Sequence, residues 1–136
     1  MTLKNYFCIQ WSSAADKMKK VVIEDKLKLI KEHWDPKIAG ELNGQHVKLV
    51  KFKGDFSWHK HDNEDEMFYV IKGSFTMKLR DGDISINENE FIIIPKGVEH
   101  CPSAAEEVSV MLFEPAGTLN TGNISNNFTI TDPAAI

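Results

Sequence analysis

The feature that most constrains this chain is its punctuation. After Pro36 the sequence is divided into short runs rich in β-branched and aromatic residues, separated by turn-forming residues. Asn43-Gly44 is a hairpin signal, because both residues tolerate the positive φ of a tight type I′ turn, and Asp81-Gly82 is a second. Between them Phe75, Met77 and Leu79 alternate with Thr76, Lys78 and Arg80, which predicts a half-buried strand with one wet face. The runs Phe91 to Ile94 and Val108 to Phe113 are apolar at successive positions. Such strands are buried on both faces, here by a barrel interior and by a helix or a second subunit. Many short strands at turn-bounded intervals predict an all-β sandwich or closed barrel.

Helical periodicity occurs once. Ile23, Leu27, Ile30 and Trp34 form one apolar stripe, with Glu24 and Asp25 in the first turn, where carboxylates suit the helix dipole. Asp35 precedes Pro36 and is pushed away from helical geometry, so the predicted helix spans 24–34. Lys26, Lys28 and Lys31 read as its solvated face. Residues 1–17 have no period, although Ser13 to Asp16 resembles a capping box. The segment from Ala116 to Ile136 has loop composition, with one edge strand expected around Phe128 to Thr131.

A length of 136 residues suits one domain with one core. The formal net charge is −4 and Arg80 is the only arginine, which argues against a nucleic-acid partner. No apolar run reaches the roughly 20 residues of a membrane helix, and the first residues make a poor secretion signal, so no membrane association and a cytoplasmic location are expected. Cys8 and Cys101 form no CxxC pair and are read as reduced thiols. The N-x-S/T matches at Asn123 and Asn127 are read as chance.

The chemistry is concentrated in GDFSWHKHDNEDEMFYVIKG, Gly54 to Gly73. Positions i and i+2 of a strand point to one side, so His59 and His61 face one space and Lys60 faces away. An acidic turn then reverses the chain, and Glu66 opens the next strand. Strand parity groups Glu66 with Phe68 and Val70, which are expected to line a largely apolar pocket, and sets Asp65, Met67 and Tyr69 on the other face. Glu64 shares the parity of Glu66 but lies in the turn. A second stretch, PKGVEH, presents His100 after a Pro-Gly turn. Three imidazoles and one carboxylate suit a divalent first-row transition metal (Fe, Mn, Ni, Zn or Cu) better than Mg²⁺ or Ca²⁺. His33 and His46 fit no such pattern, and Cys101, Met77 and Met111 are read as packing residues.

These stretches resemble the two signature motifs of the cupin superfamily. The first motif is G, five residues, HxH, three or four residues, E, six residues, G; here the interval from Gly54 to His59 is one residue short. The second is G, five residues, PxG, two residues, H, three residues, N. Here Pro95, Gly97 and His100 match, while Asn89 and Ala104 replace the outer Gly and Asn. A wider stretch, from about Met18 to Gly122, is similar to a group of small bacterial cupins with EHW-x-PK near the start and EPAGTLNTG near the end. Members of that group often begin near the equivalent of Met18. The resemblance implies a jelly-roll (double-stranded β-helix) barrel over about 37–115, within a domain over 18–122, preceded by an extension, 1–17, and followed by a tail, 123–136. It also implies metal ligation by His59, His61, Glu66 and His100.

Function is less constrained, because one fold serves many chemistries. The first expectation is a metal-dependent enzyme acting on a small polar organic molecule, of dioxygenase, isomerase or decarboxylase type. The alternatives are a non-catalytic small-molecule binder and a structural metal site. No GxSxG, P-loop or GxGxxG is present to supply other chemistry. The two-sided apolar strands also predict a homodimer.

Overall fold

The structure, a computed structural model, describes residues 13–136. Two short helices, α1 (Ala14–Lys17) and α2 (Ile23–Leu27), precede seven strands. These are β1 (Lys37–Leu42), β2 (Gln45–Asp55), β3 (Glu66–Lys72), β4 (Ser74–Leu79), β5 (Ile84–Asn87), β6 (Phe91–Ile94) and β7 (His100–Pro115). All the strand pairings are antiparallel. The sheet runs β1-β2-β7-β3-β6, and β4 joins β7 to β5. The long strand β7 organises the barrel: its C-terminal half lies between β2 and β3, and its N-terminal half pairs with β4. The all-β barrel expected from the sequence is therefore present, with its strands inside the 37–115 interval.

Turn chemistry explains the first hairpin. Asn43 (φ 49) and Gly44 (φ 75) both take left-handed backbone, as a type I′ connection requires. The second hairpin pairs β4 with β5, but at its turn only Gly82, and not Asp81, has positive φ.

Parity sorts the core. Val50 and Phe52 of β2, Phe68 and Val70 of β3, Phe75 and Met77 of β4, and Val108, Val110 and Leu112 of β7 fill the barrel. On the outer face a second cluster joins Ile30, Ala39 and Leu49, with Leu27, Ile71, Met111 and Ile136 packed against it. That cluster covers the outer face of β7 at Met111 and leaves Phe91 and Ile93 of β6 exposed.

The helix is shorter than its periodicity predicts. It stops at Leu27, and Leu29 and Ile30 are held by bonds to Lys26 and Leu27 carbonyls, a tight terminal turn. Isolated helices of this length are marginal, so tertiary contacts decide where the chain goes next. Ile30 sinks into the outer cluster, His33 meets Glu107 at 2.7 Å, and the Trp34 amide donates to the Lys51 carbonyl. Trp34 itself sits at φ 61, stacked on Phe52 (centroids 4.4 Å) and Phe56 (4.7 Å). The stacking of three rings outweighs continuation of a solvent-exposed helix.

The N-terminal side matches in part. Ser13 caps α1 by accepting from the Asp16 amide, and α1 buries no residue. The remainder of the 1–17 extension lies outside the described residues.

The segment after β7 forms no strand over Phe128 to Thr131. It packs as a strap instead. Phe128 leans on Trp34 and Phe56, Asn126 Nδ2 donates to Ser57 Oγ, and Ile136 and Ala134 exchange backbone bonds with Ile38. The strap grips residue 60, between the two histidines of the HxH stretch. The Asn123 amide donates to the Lys60 carbonyl (3.0 Å), and the Lys60 amide donates to Asn123 Oδ1 (2.9 Å). Gly122, at φ 56, passes so close that a Cβ there would lie 2.2 Å from the Lys60 carbonyl oxygen. Gly122→Ala is accordingly expected to destabilise the fold by about 1–3 kcal/mol in urea unfolding, because backbone must move. Gly40→Ala, where a Cβ meets open space, should change stability little. Equal effects would show that the strap is not held against residue 60.

Candidate metal centre

Two backbone hydrogen bonds bring the motif stretches together. The His59 amide donates to the His100 carbonyl (3.1 Å) and the His100 amide to the His59 carbonyl (2.9 Å), an isolated antiparallel bridge. His61 is placed by a bond from the Gly97 amide to its carbonyl. Asp65 accepts from the Lys96 amide and ties the acidic turn to the PKGVEH turn. Glu66, the first residue of β3, pairs with Ile94 and points inward.

The outcome is a cluster of four buried side chains, His59, His61, Glu66 and His100, with one ligand atom from each within 4.8 Å of all the others. Glu66 is the carboxylate in this cluster; Asp65 is exposed and bonded to Lys96, and Glu64 stays in the turn. Nδ1 of His59 lies 2.8 Å from the Ser57 carbonyl and Nδ1 of His100 lies 2.9 Å from the Val98 carbonyl. A carbonyl can only accept, so both rings are protonated at Nδ1 and turn a bare Nε2 lone pair inward. His61 Nε2 and His100 Nε2 are buried without a hydrogen-bond partner, 3.4 Å and 3.6 Å from Glu66 Oε1. Buried, partnerless imidazole nitrogens converging on a carboxylate are the ligand set a cation would satisfy. These residues therefore fit a first-row divalent ion.

Beneath the cluster lies a pair that reading for metal ligands alone passes over. Lys48 Nζ donates to Glu114 Oε1 at 2.7 Å, and both side chains are buried. Lys48 shares inward parity with Val50 and Phe52, and Glu114 with Val110 and Leu112, so strand alternation was the available signal. Burial and the neighbouring Glu66 carboxylate push the Glu114 carboxyl well up, against the pull of Lys48. Burial also works against charge on Glu66. The nearby Glu114, His100 and His61 side chains outweigh burial there and hold Glu66 well below the usual carboxylate range. The two carboxyls are thus pushed in opposite directions, Glu114 up and Glu66 down.

A cavity of about 40 Å³ adjoins the cluster, with His59 and Glu66 in its wall beside Phe68, Phe52, Phe56 and Trp34. Phe68 is where parity predicted. Val70 has the predicted parity but lies deeper, wholly buried in the core and outside the cavity wall, because the barrel is already filled at its level. The wall residues not anticipated are Trp34, which was read as part of a helix, and Asn120 from the strap. His33 and His46 stand apart from the cluster, beside Glu107 and Glu41. Cys101 is buried, and burial pushes its thiol up, as suits a packing residue. Met77 lies in the barrel core and Met111 against the outer cluster.

Burial, then the charge of His100, lowers the His59 pKa to about 4, against a smaller upward pull from its Ser57 bond. Folded protein therefore binds fewer protons at His59 than unfolded chain between the ordinary value of 6.5 and 4, and stability falls as pH drops through that window. His61 acts oppositely. Burial disfavours its charge, but Glu66 outweighs burial and raises the pKa, giving stability at low pH that is lost as pH rises. In metal-free protein, His59→Gln should lose less Tm than the parent between pH 6.5 and 4. An equal loss would exclude His59 as the responsible group.

Comparison with known proteins agrees with this geometry. The family model described as "Cupin domain" matches residues 46–114. A cupin-2 domain protein from Shewanella frigidimarina is 42% identical in its crystal structure, with a TM-score of 0.69, covering 70% of this chain and 93% of that one. A Neisseria meningitidis protein of known structure is 31% identical, with a TM-score of 0.67, covering 72% of this chain and 100% of that one. The Bacillus subtilis (strain 168) protein YdbB is 34% identical over 61 residues, which are 44% of this chain and 54% of YdbB, so the match spans about half of that relative. The chain belongs to the cupin superfamily.

Proposed function

We propose that this cupin holds a divalent first-row transition metal through His59, His61, Glu66 and His100 and uses it to engage a small molecule in the adjoining cavity. The observation that carries this reading is the set of buried, partnerless imidazole nitrogens gathered around Glu66 beside that cavity. A bound ion of this class supplies Lewis-acid polarisation of a ligand oxygen or, with a redox-active metal, electron transfer. The reaction class proposed is dioxygenase, isomerase or decarboxylase chemistry.

The chain's own residues do the rest. Ser57 and Val98 carbonyls fix the His59 and His100 tautomers, and Trp34, Phe56 and Phe68 limit water. A non-catalytic binder would use the same site without turnover. A purely structural site is less favoured, because His59 and Glu66 form part of the cavity wall and are not sealed in the core.

Glu66→Gln should weaken metal binding by on the order of 10–100-fold in chelator competition. Glu64→Gln and Asp65→Asn should leave it nearly intact, the latter because an amide oxygen can still accept from Lys96. Damage from Glu64→Gln equal to that from Glu66→Gln would remove the assignment.

We also propose a cytoplasmic homodimer. Among the described residues no helix is long and apolar enough to cross a membrane. The outer face of the β3–β6 pair leaves Phe91 60% and Ile93 53% exposed, opposite Tyr69 and Met67. β6 ends the sheet path, so apolar side chains and a free strand edge coincide. Light scattering at micromolar concentration should give the mass of a dimer, and Phe91→Asp should shift it toward monomer. A parent protein that is monomeric throughout would overturn this assembly.

A further inference from the structure

We infer that the ligand of the cavity has a small apolar body and a single metal-seeking head, and is not a sugar, a polyol or a phosphate ester. The inference rests on the metal reading above and adds the ligand's chemistry. The cavity wall is built from Trp34, Phe52, Phe56 and Phe68, with Val50, Leu112 and two prolines between them. Its polar members are His59, Glu66 and Asn120.

Most of that polarity is already committed. Asn120 Nδ2 donates to the Phe128 carbonyl at 2.7 Å, and its Oδ1 accepts from the Ile130 amide at 2.9 Å. Trp34 Nε1 donates to the Lys53 carbonyl, and His59 Nδ1 to that of Ser57. The polar groups left to a ligand are those of the metal cluster itself. No lysine or arginine stands in the wall. The buried Lys48 ammonium is engaged by Glu114 and the Thr118 carbonyl, and Arg80 by Glu99.

A hydroxyl or phosphate oxygen placed against this wall gives up water and finds no partner, whereas a methyl group gains apolar burial. At about 40 Å³ the space takes roughly three waters, so the body is a few heavy atoms, not a fused ring system. The expectation of a polar organic substrate, drawn from the sequence, is narrowed by this wall to a molecule polar at one end only.

The test compares two probes with one head. Propionohydroxamate and glycolohydroxamate bind metals through the same atoms and differ by a terminal methyl against a hydroxyl. Protein loaded with cobalt(II), its uptake verified by elemental analysis, is titrated with each while the visible cobalt spectrum is followed. Propionohydroxamate should bind about 10-fold to 100-fold more tightly, the discrimination an apolar pocket exerts against a hydroxyl. Phe56→Ser, at a half-buried wall position, should shrink that ratio.

Inorganic phosphate should not compete. Equal affinities, a preference for glycolohydroxamate, or a ratio unchanged in Phe56→Ser would overturn the ligand assignment while leaving the metal site standing. So would a cobalt spectrum that neither probe alters. Protein that takes up no cobalt would overturn the metal reading, and the ligand assignment with it.

Discussion

The reciprocal backbone bonds between His59 and His100 are the constraint on which the site depends. Neither motif can position its ligands alone, since His59 lies in the connection between β2 and β3, His100 opens β7, and this bridge sets one against the other. The hydrogen bonds from Gly97 to His61 and from Lys96 to Asp65 extend the same seam on one side. Asn123 extends it on the other, by occupying both backbone groups of Lys60. The imidazoles are thus held by main-chain geometry, with side-chain bonds at Nδ1 setting only the rotation and tautomer of the rings. Such a frame suits a site that must present lone pairs inward before anything binds, because the ordering has been done during folding.

The electrostatics follow from depth. A lone carboxylate at the position of Glu66 would be costly to bury. The chain answers with a ladder, in which Lys48 meets Glu114 and Glu114 meets Glu66. Burying such groups seldom adds net stability, and apolar residues of the same size would serve the barrel as well or better. What the ladder does provide is a polar setting for Glu66, whose carboxyl is held low while that of Glu114 is pushed up.

Much of this was legible in the sequence, for physical reasons that differ by element. The barrel strands were readable because alternation and Asn-Gly chemistry act locally. Glu66 could be separated from Glu64 and Asp65 because a one-residue step along a strand reverses the side chain's direction. The helix over 24–34 was misread beyond Leu27 because periodicity reports which residues are apolar and not which neighbours will claim them. Ile30 and Trp34 are indeed buried or half-buried, but against different clusters. Val70 was assigned the right side of the strand at the wrong depth, since parity carries no information about where along a barrel the filling stops. Trp34 and Asn120 converge on the cavity from distant parts of the chain, and no local rule signals such a meeting.

The strap places a demand on how the molecule is made. Ser57 meets Asn126 and Lys60 meets Asn123 across more than sixty positions of chain, and His33 meets Glu107 across seventy-four. Contacts so distant in sequence form late, after the entropy of closing long loops has been overcome. A nascent chain still inside the ribosome beyond Pro115 would hold every one of the four site residues and still lack the clasp that fixes the stretch between His59 and His61. Completion of the site therefore waits on the residues after Pro115, and a barrel lacking them would offer a metal only a loosened version of the cluster.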